Sequence, residues 1–443
     1  MTTMLASRAA ALLDKVTIGE VGPLRVGRLA AYDGQMLEAT GLSLPVGAGV
    51  RVIDADGHAT RAEVVGFRGE RSLLMALDGD APHSNGGRVE PDVKGGVAEV
   101  GDALLGRVID ATGLPLDGLG PVGATATWPL AGRPANPLDR ARVTEPFDMG
   151  VRAVNALLTA GVGQRIAIVA GSGVGKSVLM GQMIQGAAAD VIVVGLIGER
   201  SREVADFLAT KLAPGVREKS VVVAVPADHP PVLRLRAAMR ATAIAEYFRA
   251  QGKRVLLLID SLTRCAHAQR ELGLSLGEPP TMKGYPPSAL GMIPRLIERA
   301  GADLRTGGSI TALYTVLADG DDGDDPIVDT ARAIVDGHII LSRSLSEQGV
   351  FPAIDVGRSL SRVMADIVDE EHAEAAANLR RLWSVYEENR DLILMGAYRQ
   401  GSDATIDEAI ARHAEILDFL KQKPKQRIDL VHSSAELVGS FGA

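Results

Sequence analysis

The octapeptide AGSGVGKS, Ala170–Ser177, stands between the apolar runs QRIAIV and VLMGQMI. An apolar run that breaks into a glycine-rich loop and resumes as a helix belongs at the carboxyl end of a strand in an α/β sheet. The loop must curl until successive backbone N–H groups face one anion, and glycine permits both the dihedrals and the close approach. The helix beginning near Lys176 aims its positive end at the same point. Gly171, Ser172, Gly173, Val174, Gly175, Lys176, Ser177 and Val178 therefore read as a phosphate cradle. Lys176 would reach the β- and γ-phosphates of a nucleotide, and the Ser177 hydroxyl would ligate Mg²⁺. Ala170 replaces the glycine that usually opens such a loop, which leaves this physics intact.

Around this motif, from about residue 125 to 370, the runs QRIAIVA, DVIVVGLI, SVVVAVP, RVLLLID and SITALYTVL alternate with helical stretches. Strands apolar along their whole length suit a parallel sheet covered on both faces. RVLLLID ends in Asp260, a second anchor for Mg²⁺, often through water. DVIVVGLI runs into Gly198-Glu199-Arg200. A strand next to the loop's own strand would bring Glu199 to the same sheet edge, where a carboxylate can polarise water for in-line attack and Arg200 can meet phosphate charge. Spacing alone leaves this open against an ordinary surface Glu–Arg pair.

The chain has 443 residues, which exceeds one ordinary core and predicts two or three domains. Residues 1–18 hold an amphipathic segment with Leu5, Ala9, Leu12, Leu13 and Val16 on one face. It fits a terminal helix packed on its own barrel as well as a docking helix. Residues 19–97 are short β-prone runs between turns, Asp56-Gly57 among them, and predict a small β-barrel. The span 98–370 is the nucleotide domain, entered through a Gly/Pro-punctuated connector at 98–124, and 371–443 reads as helical. The basic segment 421–427 is expected to be a solvated helix end. The acidic loop 318–326 is expected to be solvated too, because Thr330 stands where a calcium loop needs glutamate. The one cysteine, Cys265, excludes an intrachain disulfide and is expected to be a small buried hydrophobe. No signal peptide or membrane span is read, so a cytoplasmic protein is expected. A net charge of -8 speaks against a dedicated nucleic-acid binder.

The phosphate loop, GERSREV (198–204), LLLIDSLTR (256–264), GYPPS (284–288) and SEQGVFPAIDVGRSLSR (346–362) occur in this order. That order resembles the catalytic subunits of the rotary ATP synthase family. It looks closest to the type III secretion ATPases, and within them to the flagellar protein-export ATPases. The resemblance covers nearly the full chain. It implies an α/β fold: an N-terminal small β-barrel, a central P-loop RecA-like domain with a mainly parallel sheet, and a C-terminal helical domain. It implies Mg²⁺-dependent hydrolysis of ATP to ADP, with Glu199 as catalytic glutamate and Arg200 and Arg264 as phosphate-side arginines. Phe351 would stack on adenine, with Tyr398 a second candidate for the adenine wall. Arg362 would be an arginine finger reaching the neighbouring subunit's nucleotide, which requires a homohexameric ring.

Further partners follow from the same resemblance. Residues 277–295 would face the ring channel and a coiled-coil stalk protein, and the 1–18 helix would meet a regulatory, stator-like protein. Export-gate membrane proteins, exported flagellar proteins and their chaperones complete the set, at the cytoplasmic face of the inner membrane. A virulence injectisome is the alternative setting. A ring-shaped nucleic-acid motor needs stacking aromatics and basic grooves, and residues 20–96 offer only Tyr32 and Phe67 as aromatics. No nucleic-acid partner is therefore expected.

Overall fold

The computed structural model describes residues 25–78, 85–134, 136–318 and 325–442. The amphipathic segment read within 1–18 and most of the acidic loop 318–326 lie outside them. The chain divides into two compact units between Gly96 and Val97.

The first unit is a closed antiparallel barrel of β1 (Gly27–Tyr32), β2 (Leu37–Thr40), β3 (Gly49–Ile53), β4 (Ala59–Arg68), β5 (Arg71–Ala76) and β6 (Arg88–Asp92), in the order β1-β2-β5-β4-β3-β6. Closure removes the sheet edges that an open sheet this small would expose. Alternation sends Leu29, Leu37, Ala39, Val50, Val52, Val64, Leu74 and Val89 inward to one core. The turn read at Asp56-Gly57 joins β3 to β4. There Gly57 takes φ +87°, and the Asp54 carboxylate accepts from the backbone N–H groups of Asp56 and His58, both at 2.9 Å.

The second unit is built on a sheet whose strands run, edge to edge, Leu360–Ser361, Gly337–Ile340, Arg165–Ala170, Ser309–Leu317, Arg254–Asp260, Val191–Glu199, Ser220–Pro226 and Val108–Ile109. From Gly337–Ile340 to Val108–Ile109 every pairing is parallel. Every residue of Val191–Gly198 is buried, which is what an uninterrupted apolar run predicts. The expected connector does more than connect. Val108–Ile109 adds an edge strand to the sheet, and Arg107 grips Asp117 through Nε at 2.8 Å and Nη2 at 2.9 Å. That guanidinium holds the Asp117 carboxyl well below the usual carboxylate range.

Helices Glu370–Leu394, Ala404–Leu420 and Leu430–Phe441 close the chain. They share one continuous apolar core with the nucleotide domain: Leu379, Trp383, Ile416, Phe419 and Leu437 join Met149, Leu157 and Ile168. The basic segment 421–427 corrects the sequence expectation. Its lysines are exposed, but Gln422 is buried, because its amide serves three backbone groups: it accepts from Arg152 N–H and donates to Gly150 and Gln426 carbonyls. Arg152 is the polar clamp between the two parts. It donates to the carbonyls of Phe419 and Asp418 at 2.7 Å and of Lys421 at 2.8 Å, pairs with Glu436, and lies over the Phe419 ring. Arg152→Met keeps the apolar stem and strands these carbonyls. It should lower the stability of the second unit by about 2–3 kcal/mol. Urea unfolding followed by tryptophan fluorescence checks this, since Trp128 and Trp383 both lie in that unit.

Candidate active site

The strand Arg165–Ala170 delivers the chain into the glycine loop, and the helix Lys176–Gly186 leaves it. Gly175 caps that helix at φ +95°, a left-handed geometry that disfavours any other residue. A Cβ there would also stand 3.5 Å from the Phe351 ring. The loop opens on a cleft of about 510 Å³, lined by Gly171, Ser172, Gly173, Gly175, Lys176, Ser177 and Val178, and by Glu199, Asp260 and Arg264. Val174 is buried in the core instead and does not line the cleft.

Glu199 does not arrive from a strand adjacent to the loop's strand. Two strands intervene, Ser309–Leu317 and Arg254–Asp260, and Glu199 comes in on the far side of Asp260. Parallel strands need crossover helices, and these crossovers skip positions in the sheet. The carboxyl ends still converge. Lys176 Nζ lies 2.5 Å from Asp260 Oδ1 and 3.7 Å from Glu199 Oε1. A bulge between Ile197 and Glu199, with Gly198 at φ +69°, turns the strand end there. A Cβ on Gly198 would stand 3.1 Å from Arg264 Cβ, so the glycine is also what lets Arg264 pack at this edge. Arg264 Nε is buried with no hydrogen-bond partner among the described residues. Arg200 lines the cleft from a solvated position and pairs with Glu203.

Burial, followed by the nearby Asp260 carboxylate and a hydrogen bond with Glu203, pushes Glu199 up from 4.5 to about 7, against the pull of Lys176. A carboxylate with that value is matched to proton transfer near neutral pH. Cys265 is wholly buried and its thiol is pushed up to about 12, an inert core residue as expected.

The profile of the ATP synthase alpha/beta family, nucleotide-binding domain, matches residues 150–361, and that of the type III secretion EscN ATPase C-terminal domain matches 368–438. The chain belongs to the ATP synthase alpha/beta family. Within this family it is 50% identical to the flagellum-specific ATP synthase of Pseudomonas aeruginosa over 94% of its length and 93% of the relative's. It is 46% identical to the type 3 secretion system ATPase of Xanthomonas euvesicatoria, over 97% and 98% respectively. The solved structure of the assembled ATPase EscN from the enteropathogenic E. coli type III secretion system superposes with TM-score 0.86 at 42% identity, covering 93% of this chain and all of that one. The EscN structure in complex with its central stalk EscO gives TM-score 0.84 at 41% identity. The chain is accordingly an ATP hydrolase of the type III export class.

In this family member Phe351 is partly exposed against Gly175, and its carbonyl accepts from Gln422 N–H at 2.8 Å. Tyr398 is placed otherwise. It does not line the cleft, and its hydroxyl is engaged locally with the Asp403 carbonyl and Asp407 Oδ1. Arg362 does not line its own chain's cleft either; it is exposed and donates to the Arg332 carbonyl at 3.3 Å. Sequence reasoning missed Leu196, Glu203, Val204, Phe207 and Lys211 in the cleft wall, and Arg343 beside Gly171. Glu203 was findable, since it follows Glu199 by four residues at the start of the helix Ser201–Thr210. The others carry no local signal.

The folded protein holds the Glu199 proton up to about pH 7, whereas the unfolded chain releases it near 4.5. Stability from this group therefore falls as pH rises between those values. Glu199→Gln should remove that loss. Urea midpoints measured from pH 5 to 8 should diverge in favour of the Gln variant as pH rises, and parallel curves would contradict the assignment.

Proposed function

We propose that this protein is the Mg²⁺-dependent ATPase of a flagellar type III export system, working as a homohexameric ring. The observation that carries the chemistry is Lys176 held between Asp260 and Glu199 beneath a glycine-lined cleft. Ser177 and Asp260 line the same cleft and offer the hard oxygen donors that Mg²⁺ takes. Bound there, the ion would neutralise charge on the phosphates. Lys176 meets the β- and γ-phosphates, Phe351 flanks the base, and Arg264, which lines the cleft, meets the developing phosphoryl charge. Glu199 takes the proton of the attacking water, poised for it near neutral pH.

The exposure of Arg362, outside its own cleft, supports its action on a neighbour's nucleotide. One kind of chain then carries both the glutamate and the finger. EscN, solved as an assembled ATPase and again in complex with its central stalk EscO, supports a ring with an axial stalk protein here. Residues 277–295 supply the channel face: Met282 and Lys283 are exposed at its tip. The 1–18 segment remains the proposed contact for a stator-like regulator, and the ring is proposed to engage export-gate proteins, cargo and chaperones at the inner membrane. No described helix is long and apolar enough to cross a membrane. The relatives named for the flagellum, at up to 50% identity, favour that branch over an injectisome. On the barrel, Arg51 and Arg88 pair with Glu90, and Arg68 and Arg71 pair with Glu38. Each glutamate offsets one of its two arginines, which halves the basic charge at these places on the barrel.

Arg362→Ala should bind nucleotide nearly as the parent does yet lose roughly 10³–10⁵ in hydrolysis rate. Mixed with Glu199→Gln chains, it should regain activity, because some interfaces then pair an intact Glu199 with a neighbour's intact Arg362. Labelled chains establish that subunits exchange. Exchange without recovery would refute the finger acting between subunits.

A further inference from the structure

Thr315 is fully buried on the strand Ser309–Leu317, between the strand that feeds the phosphate loop and the strand that ends in Asp260. Its neighbours on that strand, Tyr314 and Val316, are equally buried. A hydroxyl in such a place must find a partner or cost stability. Thr315 Oγ1 donates to Asp260 Oδ1 at 2.6 Å, a short bond of the kind a charged acceptor makes. The same Oδ1 takes Lys176 Nζ at 2.5 Å. One oxygen of Asp260 is thus spent on two protein donors. The other, Oδ2, has no hydrogen-bond partner among the described residues. Asp260 lines the cleft with its side chain only 5% exposed.

We propose that Thr315 is a positioning residue for the metal-holding carboxylate. It fixes the rotamer of Asp260 so that Oδ2 is the oxygen presented to the hydrated Mg²⁺. This rests on the ATPase reading above and specifies one part of it. The need arises from Lys176, which serves two masters. When its ammonium moves to the β- and γ-phosphates, Oδ1 loses its cationic partner. Thr315 is then the donor that stays, because it is held by the sheet and not by a flexible side chain. The end of this strand is pinned too: Leu317 N–H donates at 2.9 Å to Thr263 Oγ1, three residues past the Asp260 strand's end, and the Ser261 hydroxyl between them caps the next helix. A carboxylate held in this way keeps its geometry across the catalytic cycle, at no cost of reordering at each nucleotide exchange.

The test separates metal-dependent from metal-independent nucleotide binding in the full chain. A fluorescent ADP analogue is titrated in EDTA, and again over a range of Mg²⁺ concentrations, for the parent, Thr315→Val and Thr315→Ser. Thr315→Val keeps the shape and removes the donor. It should raise the Mg²⁺ concentration for half-saturation by about ten- to hundredfold, the worth of one charge-assisted bond. Affinity in EDTA should stay within about twofold, since the phosphate loop itself is untouched. Thr315→Ser, which restores a hydroxyl, should return the Mg²⁺ dependence toward the parent's. Unchanged Mg²⁺ dependence in Thr315→Val overturns the proposal, and so does an equal loss with and without Mg²⁺, which would mean a purely structural role. If Thr315→Val does not fold, Thr315→Cys takes its place; failure of both to fold also overturns it. Absence of Mg²⁺-dependent binding in the parent would instead overturn the ATPase reading.

Discussion

Lys176 and Asp260 are 84 residues apart in sequence and 2.5 Å apart in space. Taking both charges out of water costs several kcal/mol per ion, so the pair persists only where further polar groups complete its surroundings. Glu199 and the Thr315 hydroxyl do so here. That requirement fixes the register of the central strands. Asp260 faces Leu196 on one side, and the residue before it, Ile259, faces Tyr314 on the other. A slip of one residue would turn Asp260 or Thr315 to the opposite face of the sheet. The apolar strands supply the drive to pack, and the ion pair is satisfied in this register.

A second dependence runs from the C-terminal helices to the nucleotide. Gln422 N–H donates to the carbonyl of Phe351, and the Phe351 ring lies against Gly175 of the phosphate loop. The Gln422 side chain is held by Gly150 and Arg152, and Arg152 also gathers the last turn of Ala404–Leu420. The proposed adenine wall is therefore supported from the helical domain. The helices and the sheet share one apolar core, so this support is as rigid as the core itself.

Much of this was legible in the sequence. Strand, glycine loop and helix follow from residues 164–186 alone, because an apolar run, left-handed glycines and a helix start are each local choices. The ends of the other strands at Glu199 and Asp260 were legible for the same reason, and so was the barrel, whose period-2 pattern and Asp-Gly turn need no long-range information. Val108–Ile109 and Gln422 were misread. A two-residue edge strand and a buried amide carry no periodic pattern, and their placement depends on what packs over them.

The sequence by itself determined which chemical groups the protein carries and that each phosphate-facing group ends a strand or starts a helix. Dihedral preference and hydrophobic period act over a few residues, and the chain states them directly. Only the tertiary structure decided that Glu199 approaches from beyond Asp260, that Thr315 shares the Asp260 carboxylate, and that Arg362 stands outside its own cleft. Strand order is set by which crossovers bury the most apolar surface while satisfying every backbone group. That is a property of the whole sheet, and no single segment encodes it.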